Sequence, residues 1–116
     1  NGELYMFTAP RTFSSSHMMA SAFKAYKLGT VLGEATGGSM HFFGEPAMFQ
    51  LPNTRLWGNC AVAEWLAAGF TEASKDKGVQ PDVEVKQSIR DLAEGRDTVL
   101  EYLKARINAQ TSSTSR

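Results

Sequence analysis

The sequence has little cysteine, no excess charge of either sign and no long apolar run. Cys60 is the one cysteine among 116 residues, so the chain can form neither an internal disulfide nor a cysteine-based metal site. Twelve basic residues balance twelve acidic ones, which argues against nucleic-acid binding, because that function needs a basic face. No apolar stretch is long enough to cross a bilayer, so we expect no membrane span in this segment. Two histidines without clustered carboxylates predict no metal and no cofactor.

What is present is enough apolar material for one folded domain. Hydrophobic residues make up 42% of the chain and charged residues 21%, which is typical of a globular protein and not of a disordered one. The chain has no initiator Met and opens directly before a strand-like run. We therefore expect a fragment, a processed product or an excised segment of a larger protein. Residues 1–109 are predicted to fold, and residues 110–116 are predicted to form a disordered Ser/Thr tail.

The first third of the chain shows the order strand, helix, strand. Residues 4–8 form an apolar run that predicts a buried strand. Residues 16–27 predict a helix, and residues 30–32 predict the next strand. The apolar face of that helix is expected to consist of Met19, Phe23 and Tyr26. This order predicts a βαβ unit with a right-handed crossover, and with it an α/β fold.

The remaining segments give weaker patterns. Residues 40–43 and 47–51 predict a hairpin or a pair of short strands, because turn-forming residues separate them. The Ala-rich run 60–70 predicts a helix by propensity. Residues 83–85 predict a short strand, and Asp97 is expected to cap a last helix that ends near residue 109.

The turn between the first strand and the first helix holds three serines, Ser14, Ser15 and Ser16. A hydroxyl in such a turn is exposed, and the free N–H groups of the first helical turn can hold a developing oxyanion. The same serines can instead simply cap the helix. The residues alone leave both interpretations open.

The two histidines and a glycine-rich stretch are further candidates. His17 follows Ser14 by three residues, but a side chain one helical turn on points along the helix, so a surface or supporting role is favoured over a general base. His41 lies in an apolar strand-like run and is predicted to be a packed or hydrogen-bonded structural residue. The stretch 33–38 lacks the lysine of a phosphate-binding loop, which argues against nucleotide binding.

Four segments form an ordered set over residues 4–103. They are LYMFTAPRTFSSSHMMASAFK, LGTVLGEATGG, FQLPNTRL, and GVQPDVEV followed by EGRDTVLEYL. The set resembles the tail-specific, or C-terminal processing, serine peptidase family, in the branch of the tricorn core and the interphotoreceptor retinoid-binding protein modules. The resemblance implies that residues 1–109 are the C-terminal part of the catalytic domain. The implied fold is a ClpP/crotonase-like superhelix of ββα units, of which this chain is the C-terminal half.

The resemblance also implies roles for particular residues. A serine endopeptidase of this family would use Ser14 as its nucleophile and the backbone N–H of Ser15 as one oxyanion donor. His17 stands where the family usually has Glu. The bacterial enzymes carry a Lys base where this chain has Ser39, so the resemblance points to a His base from the missing N-terminal half.

The supporting acid would be Glu72 or Asp76, shortly before the GVQPD segment. The expected partners are a peptide or protein substrate, the missing N-terminal half and a further copy of the chain in a homo-oligomer. The residues leave the location unknown, and only the family resemblance suggests a bacterial cell envelope or a secreted location. The piece by itself is expected to be inactive. Since a shared fold does not fix function, a non-catalytic binding module remains the alternative, and a crotonase-type enzyme acting on acyl-CoA is not favoured.

Overall fold

The computed structural model describes the backbone of residues 2–114 and the side chains of residues 2–110. The first part of the chain consists mainly of strands with one helix between them, and the C-terminal region is helical. The elements are β1 (Tyr5–Thr8), α1 (Ser15–Ala25), β2 (Thr30–Gly33), β3 (His41–Gln50), β4 (Trp57–Leu66), a 3-10 helix (Glu72–Ser74), β5 (Val83–Glu84), α2 (Ile89–Ala93) and α3 (Thr98–Thr114).

β1, β2 and β5 form a parallel three-stranded sheet in the order β1-β2-β5. Tyr5 lies opposite Thr30, and Leu32 lies opposite Val83. Parallel neighbours need a crossover connection, and α1 supplies it between β1 and β2. The predicted strand, helix, strand unit and the α/β character of the fold are therefore confirmed.

The core lies between α1 and the segments that follow β2. Ala20, Met40, Ala67 and Val79 form its centre, while Val31 and Leu32 of β2 are completely buried.

The predicted apolar face of α1 is wrong except at Phe23. Met19 and Tyr26 are 63% and 72% exposed, and the buried residues of the helix are His17, Ala20, Ser21 and Phe23. Small side chains on the buried face of α1 let the helix pack closely against the rest of the protein. A search for a stripe of large apolar residues therefore does not find the buried face.

β3 and β4 form a separate antiparallel hairpin, with His41 opposite Leu66 and Gln50 opposite Trp57. Two expectations fail here. Residues 40–43 and 47–51 belong to one continuous strand, and the run 60–70 is largely strand instead of helix. Cross-strand pairing of the backbone outweighs the modest helix propensity of the alanines, as often happens in sheets.

Asp82 in the GVQPD segment ties three elements together. Its carboxylate accepts hydrogen bonds from Lys24 Nζ of α1 at 2.8 Å and from the N–H of Val31 of β2 at 2.9 Å. Burial raises the pKa of Asp82, but these hydrogen bonds and the Lys24 charge outweigh burial, so the pKa lies below its ordinary value. Asp82 therefore has a structural role.

The C-terminal region is more helical than expected. Asp97 caps α3 as predicted, since its Oδ1 accepts the N–H groups of Val99 and Leu100. The helix α2 was not predicted. α3 continues to Thr114, so residues 110–114, predicted to be disordered, are helical; neither Gly nor Pro interrupts the backbone hydrogen bonds there. Ser115 and Arg116, the end of that predicted tail, lie outside the described residues. Among the helices described, none has the length and apolarity needed to cross a membrane.

Candidate active site

Ser14 occupies a strained position at the start of α1. Its backbone has φ 55° and ψ −128°, a region that residues other than glycine rarely adopt. Such strain costs on the order of 1–3 kcal/mol and is found mainly at functional sites. A sharp, strained strand-to-helix turn is also one way in which hydrolases expose a nucleophilic serine.

The hydroxyl of Ser14 has no hydrogen-bond partner among the residues that the structure describes, although the residue stands at the N-cap position. It makes no capping hydrogen bond, and the side chain is exposed. Ser16 does the local bonding instead: its Oγ accepts from the N–H of Phe13 at 3.1 Å and donates to the carbonyl of Phe13 at 2.7 Å. The capping interpretation therefore fails for Ser14.

The first turn of α1 offers backbone donors beside Ser14. The N–H of Met18 is used, because it donates to the carbonyl of Ser14 at 3.0 Å. The N–H of Ser15 donates to no residue that the structure describes. A free N–H at a helix N-terminus is suited to a negative charge. The role of Ser15 as an oxyanion donor stays a prediction.

The glycine-rich stretch after β2 packs against the connection between β1 and α1, residues 9–14, which we call the serine turn. The N–H of Glu34 donates to the carbonyl of Thr8 at 2.9 Å, and the N–H of Gly37 donates to the carbonyl of Thr12 at 3.1 Å. A Cβ atom on Gly37 would lie 2.0 Å from the carbonyl oxygen of Pro10. The glycine is therefore required by the close approach of two backbone segments.

Ser14 lies in the wall of a cavity of about 430 Å³. Phe13, Phe42 and Phe43 give that wall its apolar part, and His17 and Asp76 line it as well. Ser39, at the position of the family lysine, also lines the cavity, and its Oγ donates to the carbonyl of His41.

The structure separates the two acids proposed from the sequence. Asp76 shares the cavity wall with Ser14, whereas Glu72 stands in the 3-10 helix and is not among the lining residues. Both side chains are exposed.

His17 lies inside the protein, with only 1% of its surface exposed. Its Nδ1 is 2.7 Å from Thr36 Oγ1, while its Nε2 is buried without a hydrogen-bond partner among the described residues. Burial lowers the pKa of His17, and the backbone of Ser39 acts against that shift. The expected surface position of His17 is therefore wrong, and a supporting role for it stays a prediction.

Two other residues of the site bear on the sequence analysis. His41 Nε2 lies 2.6 Å from Glu64 Oε1 of the paired strand, so the prediction of a hydrogen-bonded structural histidine is confirmed. Thr36 was missed as a partner of His17, and the signal available was only its place in the Gly-Glu-Ala-Thr-Gly-Gly run. No group of three or more metal-ligating side chains is found in the part of the chain that the structure describes.

An exposed serine at a strained strand-to-helix turn of an α/β fold is an arrangement that serine hydrolases also use. The model of peptidase family S41 matches residues 1–85. The chain belongs to this family, and the resemblance noted from the four segments is thereby confirmed.

Two of the similar proteins are of the tricorn type. Tricorn protease homolog 2 of Streptomyces coelicolor is 32% identical over 96 residues, which cover 78% of this chain and 7% of that protein. The crystal structure of the tricorn protease superposes with a TM-score of 0.61 at 21% identity, covering 99% of this chain and 11% of the larger one. A protein from Parabacteroides merdae, described as a peptidase, gives a TM-score of 0.58 at 25% identity over 89% of this chain and 31% of its own. The chain thus spans only a small part of these relatives.

Proposed function

We propose that this chain supplies the nucleophile, Ser14, of a serine endopeptidase. The observation that carries the proposal is the combination of a strained backbone with a free, exposed hydroxyl in a cavity wall. A serine whose only task was to cap the helix would use that hydroxyl on the backbone N–H groups, and this one does not.

The chemistry would be acyl transfer in two steps. A base removes the hydroxyl proton, and Ser14 Oγ attacks the carbonyl carbon of the scissile peptide bond. The negative charge formed on the carbonyl oxygen is held by the N–H of Ser15 and by a second donor. The intermediate collapses to an acyl-enzyme as the amine leaves with the proton, and water then releases the acid.

The base belongs, in this proposal, to another part of the complete protein. Ser39 cannot replace the family lysine as a base, and its hydroxyl is bonded to the carbonyl of His41. His17 also lines the cavity, but its ring is buried and its Nδ1 is bonded to Thr36 Oγ1, so we do not propose it as the base. Asp76 is favoured over Glu72 as the acid that supports the base, because it shares the cavity with Ser14. Residues 1–116 alone should therefore be inactive.

Two further features of the family, its superhelical fold and its substrate specificity, are part of the same proposal. The chain would form part of a superhelix of ββα units, and the superposition on the tricorn protease supports this. Specificity for substrate C-termini, as in the C-terminal processing enzymes, stays a prediction.

A non-catalytic binding module on the same fold is the second candidate. Ser39 in place of the lysine base favours it, because this chain then holds a nucleophile position without its base. Fold alone cannot decide between the two.

Ser14→Ala in the complete protein decides the proposal. We expect peptide hydrolysis to fall about 10⁴-fold or more, because covalent catalysis is lost, while the folded structure is kept. Ser88→Ala is the matched control: it removes the cap of α2, away from the cavity, and should leave turnover unchanged. Undiminished turnover in Ser14→Ala would refute the assignment.

A further inference from the structure

The glycine-rich stretch, residues 33–38, is hydrogen-bonded to the chain both before and after Ser14. Before Ser14, the carbonyl of Thr12 accepts the N–H of Gly37 at 3.1 Å. After Ser14, the imidazole Nδ1 of His17 is bonded to Thr36 Oγ1 at 2.7 Å. Two adjacent residues of one segment therefore restrain the chain on either side of the strained serine.

The His17 ring is closely packed from several directions. A Cβ atom on Gly38 would lie 2.8 Å from His17 Cγ, and the ring of Phe42 meets the imidazole edge to face, with centroids 6.1 Å apart. Thr36 Oγ1 is itself held in place, because it accepts the N–H of Val79 at 2.8 Å. The ring can therefore not turn away without moving the segment that touches it.

We propose that His17 is a positioning residue, whose neutral imidazole, bonded to Thr36, keeps Ser14 in its strained backbone conformation for attack. A strained conformation persists only where its surroundings over-determine it, and the bonds to Gly37 and Thr36 provide that restraint. The inference rests on the proposed function of Ser14, and it assigns a task to a side chain that does not touch the substrate.

The same geometry makes the restraint sensitive to pH. Within the described part of the chain, a neutral imidazole leaves one buried polar atom, Nε2, without a partner, and an imidazolium would bury a charge as well. Among the cavity-lining residues that the structure describes, Asp76 is the one carboxylic acid that shares the cavity with His17. The other charged groups on the neighbouring segments do not line the cavity; they are Glu34, Glu45, Lys75 and Lys77.

Burial dominates, and the pKa of His17 lies below its ordinary value. A histidine with a lowered pKa stabilises the folded turn above its unfolded pKa, and this contribution is lost as the pH falls toward the folded pKa.

The test uses the complete protein with His17→Ala, His17→Gln and the matched control His41→Gln. His17→Ala should lower kcat on the order of 10²-fold with KM nearly unchanged, because the nucleophile is misplaced while the substrate still binds. The hydrogen-exchange protection of the Met18 amide, which bonds to the Ser14 carbonyl, should fall about tenfold. His17→Gln keeps a hydrogen-bonding group for Thr36 and should restore most of both losses. His41→Gln should change neither.

A comparison at two pH values covers the case in which His17→Ala does not fold. Between about pH 8 and about pH 5 the wild-type protein should lose Met18 protection, and His17→Gln should not, because glutamine does not titrate. Equal responses of the two proteins, or wild-type kcat and protection in a folded His17→Ala variant, would overturn the positioning role. Activity retained in Ser14→Ala would instead remove the proposed function, and the protection measurements would still decide whether His17 restrains the turn.

Discussion

The serine turn and the β3–β4 hairpin differ in how this chain covers them. Around the serine turn, β2 is buried. The backbone N–H groups of Glu34 and Gly37 donate hydrogen bonds to the carbonyls of Thr8 and Thr12. The hairpin has two ten-residue strands, yet large apolar side chains on it are exposed, including Phe43 at 65%, Trp57 at 67% and Val62 at 66%. The first region is held by contacts within the chain, and much of the second is not.

The difference separates a site built by packing from an element held largely by strand pairing. A two-stranded hairpin is marginally stable in water, so its ladder of backbone bonds contributes most of what holds it. The serine turn adds close backbone approaches that only glycine allows. Substitutions in the two regions should therefore have very different effects.

The largest contrast is expected between two leucines on strands. Leu32→Ala in β2 should lower the local free energy of unfolding by about 3 kcal/mol, because it leaves a cavity in a completely buried site. Leu66→Ala at the end of β4, where the side chain is 59% exposed, should change it by less than about 0.5 kcal/mol. Hydrogen exchange of the strand amides measures both. Similar losses would mean that the hairpin is as tightly packed as the sheet.

A pair of glycines gives a contrast of intermediate size. Gly37→Ala should cost about 2 kcal/mol and displace the serine turn, because its Cβ would meet the carbonyl oxygen of Pro10. On Gly44 of β3 a Cβ would have only a contact of 3.4 Å with the Trp65 side chain, so Gly44→Ala should be nearly neutral in stability. Equal exchange protection of the turn amides in wild type and Gly37→Ala would contradict this account.

Asp82 gives the smallest effect, and it depends on pH. Asp82→Asn should cost about 1 kcal/mol at neutral pH, a modest value because solvent screens this half-exposed pair. Since the pKa of Asp82 is lowered in the folded protein, its contribution is present above the unfolded pKa and is lost as the pH falls through the folded one. The difference between the variant and the wild-type protein should therefore disappear in acid. Glu84→Gln, whose pair with Lys86 is well exposed, should show no such change.

Sequence patterns predicted the position of the site better than its details. The order strand, turn, helix, which follows from apolar runs and turn residues, correctly placed the serines at the start of α1; the family resemblance singled out Ser14. Three adjacent serines could not be ranked by capping alone, since the positive φ of Ser14 depends on contacts made by residues 33–38. The burial of His17 was likewise beyond the pattern, because Thr36 is distant in sequence.

The hairpin escaped prediction for a different reason. Residues 60–70 carry several alanines that favour a helix, and the partner strand that overrides this preference lies before them in the chain. Strand pairing is a long-range contact, so local propensity could not reveal it. The extended α3 was missed because Ser and Thr after residue 109 are typical of tails, although nothing in that run stops a helix.

Labelling of the complete protein with a fluorophosphonate probe shows whether Ser14 is the nucleophile. We expect one covalent adduct on Ser14 Oγ, located by mass spectrometry of the peptide that contains the three serines, and no adduct in Ser14→Ala. An adduct on Ser15 or Ser16, or equal labelling of the Ser14→Ala variant, would contradict the claim that Ser14 is the nucleophile.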